Sequence, residues 1–340
     1  MSDLRNILSD SARYYREQEK RIVSRLALLP KGTVKEKSIG SRKYFYLSYR
    51  QGKRIIDRYL GAAYPEDLRR QLDERRKLLS QLKEVRAGLR LLRQPSALSS
   101  DFTGVILQVF SEFSKIGLWE SGLEIIGSWC FLLFQKYLPL EPYPLRTQDL
   151  DLLIPLPYKG KAHDLPRLLK QLGFDEGIHP DGSSYFAGGG LRLEFVSPKT
   201  GRRGASAAQL PSLKVTAQLL RYTDLLASET MTLTISQGVR VRLPSPAAFM
   251  LHKLIIASVW QRAEKQDKDL KQAISVARYV LQSPGQARQA LALWTGLLAG
   301  WRKKAAASLR RARDHLPLEA GVVDSLGAAL GLPSYPTKRR

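Results

Sequence analysis

Two aspartates one residue apart, Asp149 and Asp151, head the apolar run Leu152-Leu153-Ile154. On an extended strand, residues i and i+2 point to the same side, so both carboxylates project together while Leu150 faces the other way. Like charges held side by side repel; a divalent cation between them reverses the sign, and hard oxygen donors suit Mg²⁺ or Mn²⁺. The competing reading is a solvent-facing strand end with two unrelated acids. A third carboxylate, Glu194, lies within Gly190-Leu191-Arg192-Leu193-Glu194-Phe195-Val196, after a Gly188-Gly189 turn. Alternation puts Arg192 and Glu194 on one face, where a Glu is commonly just solvated, and Leu191, Leu193 and Phe195 on the other. Upstream, Gly127-Ser128 separates the strand-like Leu123–Ile126 from a helix expected from about Trp129 to Tyr137. A Gly at such a junction lets a ligand approach the backbone, and the leading amides of a helix suit a phosphate, although Gly-Ser turns also abound where nothing binds. Cys130 has no His partner and reads as a small buried hydrophobe.

These residues need a scaffold, and 340 residues leave room for two or three domains. With 44% hydrophobic and 25% charged residues the chain is globular, which excludes wholesale disorder and collagen-like architecture. One Cys forms no internal disulfide or Cys-based zinc site, and the four His give no ligand pair at helical spacing, so a reducing, cytoplasmic compartment is expected. The most apolar stretch, 123–134, contains Glu124 and falls short of the ~20 residues that span a bilayer. The first residues lack a signal-peptide core, so no membrane association is expected. Residues 102–243 mix helix and strand. Residues 244–335 are helical by pattern, opened by Pro244-Ser245-Pro246 and carrying a stripe of Leu251, Leu254, Ile255 and Val259.

Charge is the strongest compositional signal. The 55 Lys and Arg against 31 Asp and Glu give +24, and residues 1–94 alone hold 24 basic against 11 acidic residues. That front segment reads as an amphipathic helix (Leu4 to Leu29), strands at 33–39, 43–49 and 54–60 joined through Gly40-Ser41 and Gln51-Gly52, and a long helix from Pro65 ending before Pro95. The middle strand places Tyr44, Tyr46, Ser48 and Arg50 on one face. The long helix carries a stripe of Leu68, Leu72, Leu79, Leu82, Val85, Leu89 and Leu92, and a surface rich in cations such as Arg69 and Arg76. A solvated helix face explains any one cluster; the surplus across the segment favours nucleic acid as partner, with Tyr44, Tyr46, Arg50, Arg69 and Arg76 as contacts. Residues 94–101 read as a linker, and Lys338-Arg339-Arg340 as a frayed tail.

Taken in order, an apolar residue before Gly127-Ser128, a helix, Asp149-x-Asp151 on a strand and Glu194 on a later strand, the sequence resembles the polymerase-beta type nucleotidyltransferase superfamily. Within it the chain looks most like bacterial nucleotidyltransferase-fold proteins related to AbiEii-type toxins. Further matches are Val196-Ser197-Pro198 followed by Gly201-Arg202, the stretch from Lys214 to Leu220, and Pro246-x-x-Phe249-x-x-x-Lys253-Leu254 leading to Arg262 and Lys268-Asp269-Leu270. The resemblance spans about 118–275. It departs from the smallest members in a longer gap between Gly-Ser and Asp-x-Asp, filled by the helix and a Pro142-Tyr143-Pro144 loop, and in having Glu as the third acid.

The resemblance implies an α+β protein: a minimal nucleotidyltransferase core of mixed sheet and helices at 102–243, a helical C-terminal domain at 244–335 completing the nucleotide and acceptor site, and the basic module at 1–94. It implies Mg²⁺ or Mn²⁺ on Asp149, Asp151 and Glu194, an NTP held by Gly127 and Ser128, and attack of an acceptor hydroxyl on the α-phosphorus with loss of pyrophosphate. It also implies that Lys253 reaches the triphosphate, and that Arg262, Lys268 and Asp269 bind nucleotide. Read from charge alone, Lys253 equally snorkels, and Arg262, Lys265 and Lys268 equally form a solvated face. The expected acceptor is RNA, tRNA-like by toxin analogy, in preference to DNA. A protein antitoxin and a homodimer through the 65–94 helix are the other expected partners. The alternatives are an inactive nucleotidyltransferase fold that binds nucleic acid, and nucleotidylation of a protein or small molecule.

Overall fold

A computed structural model describes residues 2–63, 65–93, 100–140, 147, 149–199, 201, 204–235, 238–259 and 263–333. The Pro142-Tyr143-Pro144 loop, Arg202, Trp260, Arg262, residues 94–99 and the Lys338–Arg340 tail lie outside the described residues. The chain divides into two compact units, one of residues 12–94 and 315–318, the other of 1–11, 95–314 and 319–340.

The smaller unit holds most of helix α1 (Ser2–Leu28), strands β1 (Thr33–Ile39), β2 (Arg42–Gln51) and β3 (Arg54–Gly61), and helix α2 (Glu66–Arg93). The strands form an antiparallel sheet in the order β1-β2-β3. Its second turn is Gly52-Lys53, because Gln51 still pairs with Arg54; the sequence reading placed that turn one residue early. In β2, Phe45 and Leu47 are buried while Tyr44 and Tyr46 are partly exposed, as period-2 alternation requires. Ile22, Leu26 and Leu29 of the α1 arm form a core with Leu78 and Leu82 of α2, each contributing about 1.5–3 kcal/mol on full burial. Leu78, rather than Leu79 of the expected stripe, faces this core, and Leu79 is 46% exposed. Arg75 Nη1 donates to the carbonyls of Leu26 and Leu29 at 2.6 and 3.3 Å, satisfying acceptors that the end of α1 leaves open.

Among the described residues, the larger unit contains α3 (Ser100–Lys115), β4 (Glu124–Ile125), α4 (Gly127–Tyr137), β5 (Asp149–Leu153), α5 (Leu165–Gln171), β6 (Asp175–Ile178), β7 (Ser184–Gly188), β8 (Leu191–Pro198), β9 (Ala207–Leu210) and β10 (Val215–Leu220). These are followed by α6 (Asp224–Ser228), β11 (Thr230–Thr234), β12 (Arg240–Pro244), α7 (Pro246–Ala257), α8 (Ala263–Gln282), α9 (Pro284–Gly296), α10 (Ala299–His315) and α11 (Ala320–Ala329). The main sheet runs β4-β5-β8-β10-β9, with the β6-β7 hairpin branching from β8. β5, β8 and β10 are parallel, β4 and β9 antiparallel edges; β11 and β12 form a separate pair. The architecture is α+β with a helical C-terminal region.

Two apolar elements position the site. Leu191, Leu193 and Phe195 of β8 are buried, which leaves Arg192 and Glu194 on the opposite face. α7 is apolar on nearly every side, as befits a helix packed against α8 and α9. Pro246 opens α7, and the Ser245 hydroxyl caps it by accepting from the Ala248 N–H at 3.2 Å. Phe249 of α7 stacks on Phe131 (6.2 Å) and meets Phe134 edge-on (5.4 Å), fixing α4 against α7.

Candidate active site

β5 and β8 pair in parallel with Asp151 level with Glu194 and Asp149 level with Arg192. Residues level across a ladder share a face, so Asp151 and Glu194 are neighbours and Asp149 stands two residues along, exposed, at the strand start. Burial, then the charges of Glu194 and Asp149, push the Asp151 carboxyl up to about 7, against the pull of Lys253 and Lys268. Among the described residues no group of three or more His, Cys, Asp or Glu forms a ready metal-binding cluster.

The Gly-Ser turn lies directly over this acid. α4 starts at Gly127, two residues earlier than the sequence reading placed it. Gly127 has φ +66°, and a Cβ there would come within 2.1 Å of Asp151 Oδ2, so both the backbone angle and the contact demand glycine. The Ile126 N–H donates to the Asp151 carbonyl at 3.0 Å, tying the turn to β5. α4 has no side-chain cap, so the Gly127 and Ser128 amides lead a helix N-terminus with no intrahelical acceptor.

Two lysines stand close to the acids and the turn. Lys253 does not face solvent: it is 5% exposed and its Nζ donates to Asp269 Oδ1 at 2.6 Å. It acts on Asp151 through its charge. Lys268, which the resemblance pairs with Asp269 in shaping the site, donates to Ser128 Oγ at 3.0 Å and feels the charge of Asp269. Burial, then the charge of Lys253, holds the Lys268 ammonium below its ordinary pKa. Next to the turn, buried Glu124 is raised to about 7 by burial, offset in part by Arg242 at 3.3 Å. Cys130 is buried, as expected, with its thiol pushed up by burial.

Three residues near the acids escaped sequence reasoning. The turn before β8 is Gly189-Gly190, so Gly188 pairs with Leu191 and Tyr185 falls opposite Glu194. His179 Nε2 lies 3.5 Å from Glu194 Oε1, and Gly177 lies beneath the Tyr185 ring. The two alternating runs around the double glycine carried this signal: pairing counted outward from a two-residue turn brings Tyr185 to Glu194.

A family model described as Nucleotidyltransferase matches residues 105–293, more than half of the chain. The chain belongs to this nucleotidyltransferase family. A second model, described as a domain of unknown function (DUF6788), matches residues 12–70, within the first 94. Among solved structures, the nucleotidyltransferase is similar to an antigenic nucleotidyltransferase-like protein from Paracoccidioides brasiliensis, at 15% identity and a TM-score of 0.39, over 67% of this chain and 94% of that one. Comparison with curated proteins gives no match.

Asp149, Asp151 and Glu194 lie on one sheet face, and hard carboxylate oxygens of this kind suit a divalent cation, whose charge would offset the burial and the repulsion that raise Asp151. In the smaller unit, Tyr59 opposes Tyr46 with ring centroids 5.4 Å apart, Tyr44 lies 6.3 Å from Tyr59, and Lys37 Nζ sits 4.6 Å over the Tyr46 ring. Arg50 is exposed at the end of β2. Arg69 and Arg76 are exposed and flank Asp73 at 3.9 and 3.6 Å. No helix among the described residues is long and apolar enough to cross a membrane.

Proposed function

We propose that this nucleotidyltransferase moves an NMP from an NTP to a hydroxyl of RNA, in the manner of AbiEii-related toxins, with a protein antitoxin as a further partner. The observation that carries the reading is the raised Asp151 carboxyl, level with Glu194, directly beneath the Gly127-Ser128 helix N-terminus. A row of acids next to a phosphate-sized set of amides matches an NTP carried with its cation. When bound on Asp149, Asp151 and Glu194, Mg²⁺ or Mn²⁺ supplies charge neutralisation of the triphosphate and a lowered pKa for the attacking hydroxyl.

The remaining roles belong to the chain. The Gly127 and Ser128 amides and the Lys268 ammonium hold phosphate oxygens. Lys253, locked by Asp269, keeps Asp151 more ionised than burial alone would leave it. Glu194 accepts a hydrogen bond from the acceptor hydroxyl and takes its proton as the hydroxyl oxygen bonds to the α-phosphorus and the bond to the departing pyrophosphate breaks. RNA is favoured by the smaller unit, whose exposed tyrosines are interleaved with Lys35 and Lys37, and by the overall surplus of +24.

The test is incubation with each α-labelled NTP, Mg²⁺ and total cellular RNA, followed by separation of RNA from protein. Label in RNA supports the reading; label only in protein moves the acceptor to a polypeptide. A second reading, a nucleic-acid-binding protein without transfer, rests on Asp149 standing apart and on His179 engaging Glu194. It predicts RNA retention with no label transferred under any NTP.

A further inference from the structure

Beyond Glu194, on the side of β8 away from Asp151, the β6-β7 hairpin carries a group that the roles above leave unused. Tyr185 sits level with Glu194 across the β7-β8 ladder, which puts its ring on the same face as the acids. The ring lies flat over Gly177, where an added Cβ would meet Tyr185 Cζ at 2.2 Å. The Arg192 guanidinium lies over the ring, its carbon 5.1 Å from the centroid, and the His179 imidazole is 4.7 Å from it, inclined at 46°. Arg192 is level with Ala187, and the His179 N–H donates to the Ser183 carbonyl at 2.8 Å, so the two flank Tyr185 along the strand. Asp181 fixes the tip of the hairpin by accepting from the Ser183 hydroxyl at 2.6 Å and from Gln218 at 3.0 Å.

The row therefore has two chemically different ends. At the β5 end stand the helix N-terminus and Lys268, which suit phosphate; at the β7 end stands a largely covered phenol ring with the exposed Arg192 guanidinium laid over it and an imidazole beside it. Aromatic and guanidinium planes stack on flat, polar π systems, and every nucleobase presents one. We propose that Tyr185, Arg192 and His179 form the acceptor subsite, in which the terminal nucleobase of the RNA stacks on the outer plane of the exposed Arg192 guanidinium that the Tyr185 ring supports, so that its hydroxyl lies against Glu194. The proposal rests on the reading of RNA as acceptor, and Gly177 is a positioning residue that lets the ring lie down.

The test uses the full chain, an α-labelled NTP with Mg²⁺, and an RNA oligonucleotide ending in 2-aminopurine. Tyr185→Leu should raise the acceptor KM by roughly 5- to 100-fold, the loss expected for one stacked base, while the NTP KM stays unchanged. Tyr185→Phe should keep wild-type values because the ring remains. Arg192→Gln, at an exposed position, should raise the acceptor KM with folding unaffected. The 2-aminopurine emission should be quenched by wild-type and Tyr185→Phe protein but not by Tyr185→Leu. Unchanged acceptor KM in both Tyr185→Leu and Arg192→Gln, or equal impairment of Tyr185→Phe and Tyr185→Leu, overturns the subsite. If the wild-type chain labels no RNA at all, the acceptor class itself falls, a result distinct from labelled RNA with unchanged KM.

Discussion

Replacing Asp151 by Asn should stabilise the metal-free protein while abolishing nucleotidyl transfer. The folded carboxyl titrates at about 7 against an ordinary 3.8. Between those values the folded state binds a proton that the unfolded state has released, so stability falls as pH rises through this window. At 1.36 kcal/mol per pKa unit, the full loss is about 4 kcal/mol above pH 7, and close to nothing below pH 4. Asn resembles the protonated acid in shape and carries no charge, so it escapes this loss. The variant should melt at much the same temperature as wild type at pH 4 and roughly 8–16 °C higher at pH 8, given ~2–4 °C per kcal/mol for a unit of this size. Thermal melts in EDTA from pH 4 to 8 measure the gap. Adding Mg²⁺ should raise the wild-type melting temperature at pH 8 and leave the variant nearly unmoved, because cation binding to the folded state is linked to its stability. A variant less stable than wild type at pH 8, or a gap that does not widen with pH, would show that Asp151 is not under electrostatic load.

Lys253→Met should take the Lys253 ammonium away from the buried Asp269 carboxylate and destabilise by about 3–5 kcal/mol, with Lys253→Met/Asp269→Leu recovering most of that in chemical denaturation but not recovering transfer. Gly127→Ala must strain a backbone at φ +66° and push Asp151 aside, so single-turnover assays should show transfer lost even where the protein stays folded. Glu194→Gln should lower turnover far more than NTP affinity, as read by nucleotide binding against steady-state rate; normal turnover would return Glu194 to the solvated face of its strand. Deleting residues 1–94 should remove most nucleic-acid affinity and flatten a log K against log salt slope of roughly −5, expected for about six neutralised phosphates on a duplex.

What was legible in the sequence is what local periodicity controls. The shared face of Asp149 and Asp151, the outward pair Arg192 and Glu194, the helix after Gly127-Ser128 and the three short front strands all follow from alternation or turn chemistry within a few residues. The Asp269 partner of Lys253 was not legible because it comes from α8, sixteen residues on, and no local pattern distinguishes a lysine that snorkels from one that meets Asp269 in a buried pair. His179 and Tyr185 were missed for a related reason: their nearness to Glu194 depends on sheet register, and shifting the turn from Gly188-Gly189 to Gly189-Gly190 changes every partner along the hairpin. Leu78 and Leu79 show the same sensitivity on a helix, where adjacent positions point some 100° apart.

The branching of the sheet at β8 has an evolutionary reading. β6 and β7 hang from that strand alone within the hydrogen-bonded ladder, outside the run β4-β5-β8-β10-β9 that fixes the acid row. Residues 175–188 can therefore drift in length and chemistry while the strands bearing Asp149, Asp151 and Glu194 keep their register. With the acceptor subsite on this hairpin as proposed above, a lineage could exchange one recipient molecule for another by rewriting this single excursion, leaving the strands of the acid row untouched. On that proposal the hairpin is a natural cassette for directed evolution, in which libraries confined to it should change acceptor preference before they change nucleotide use.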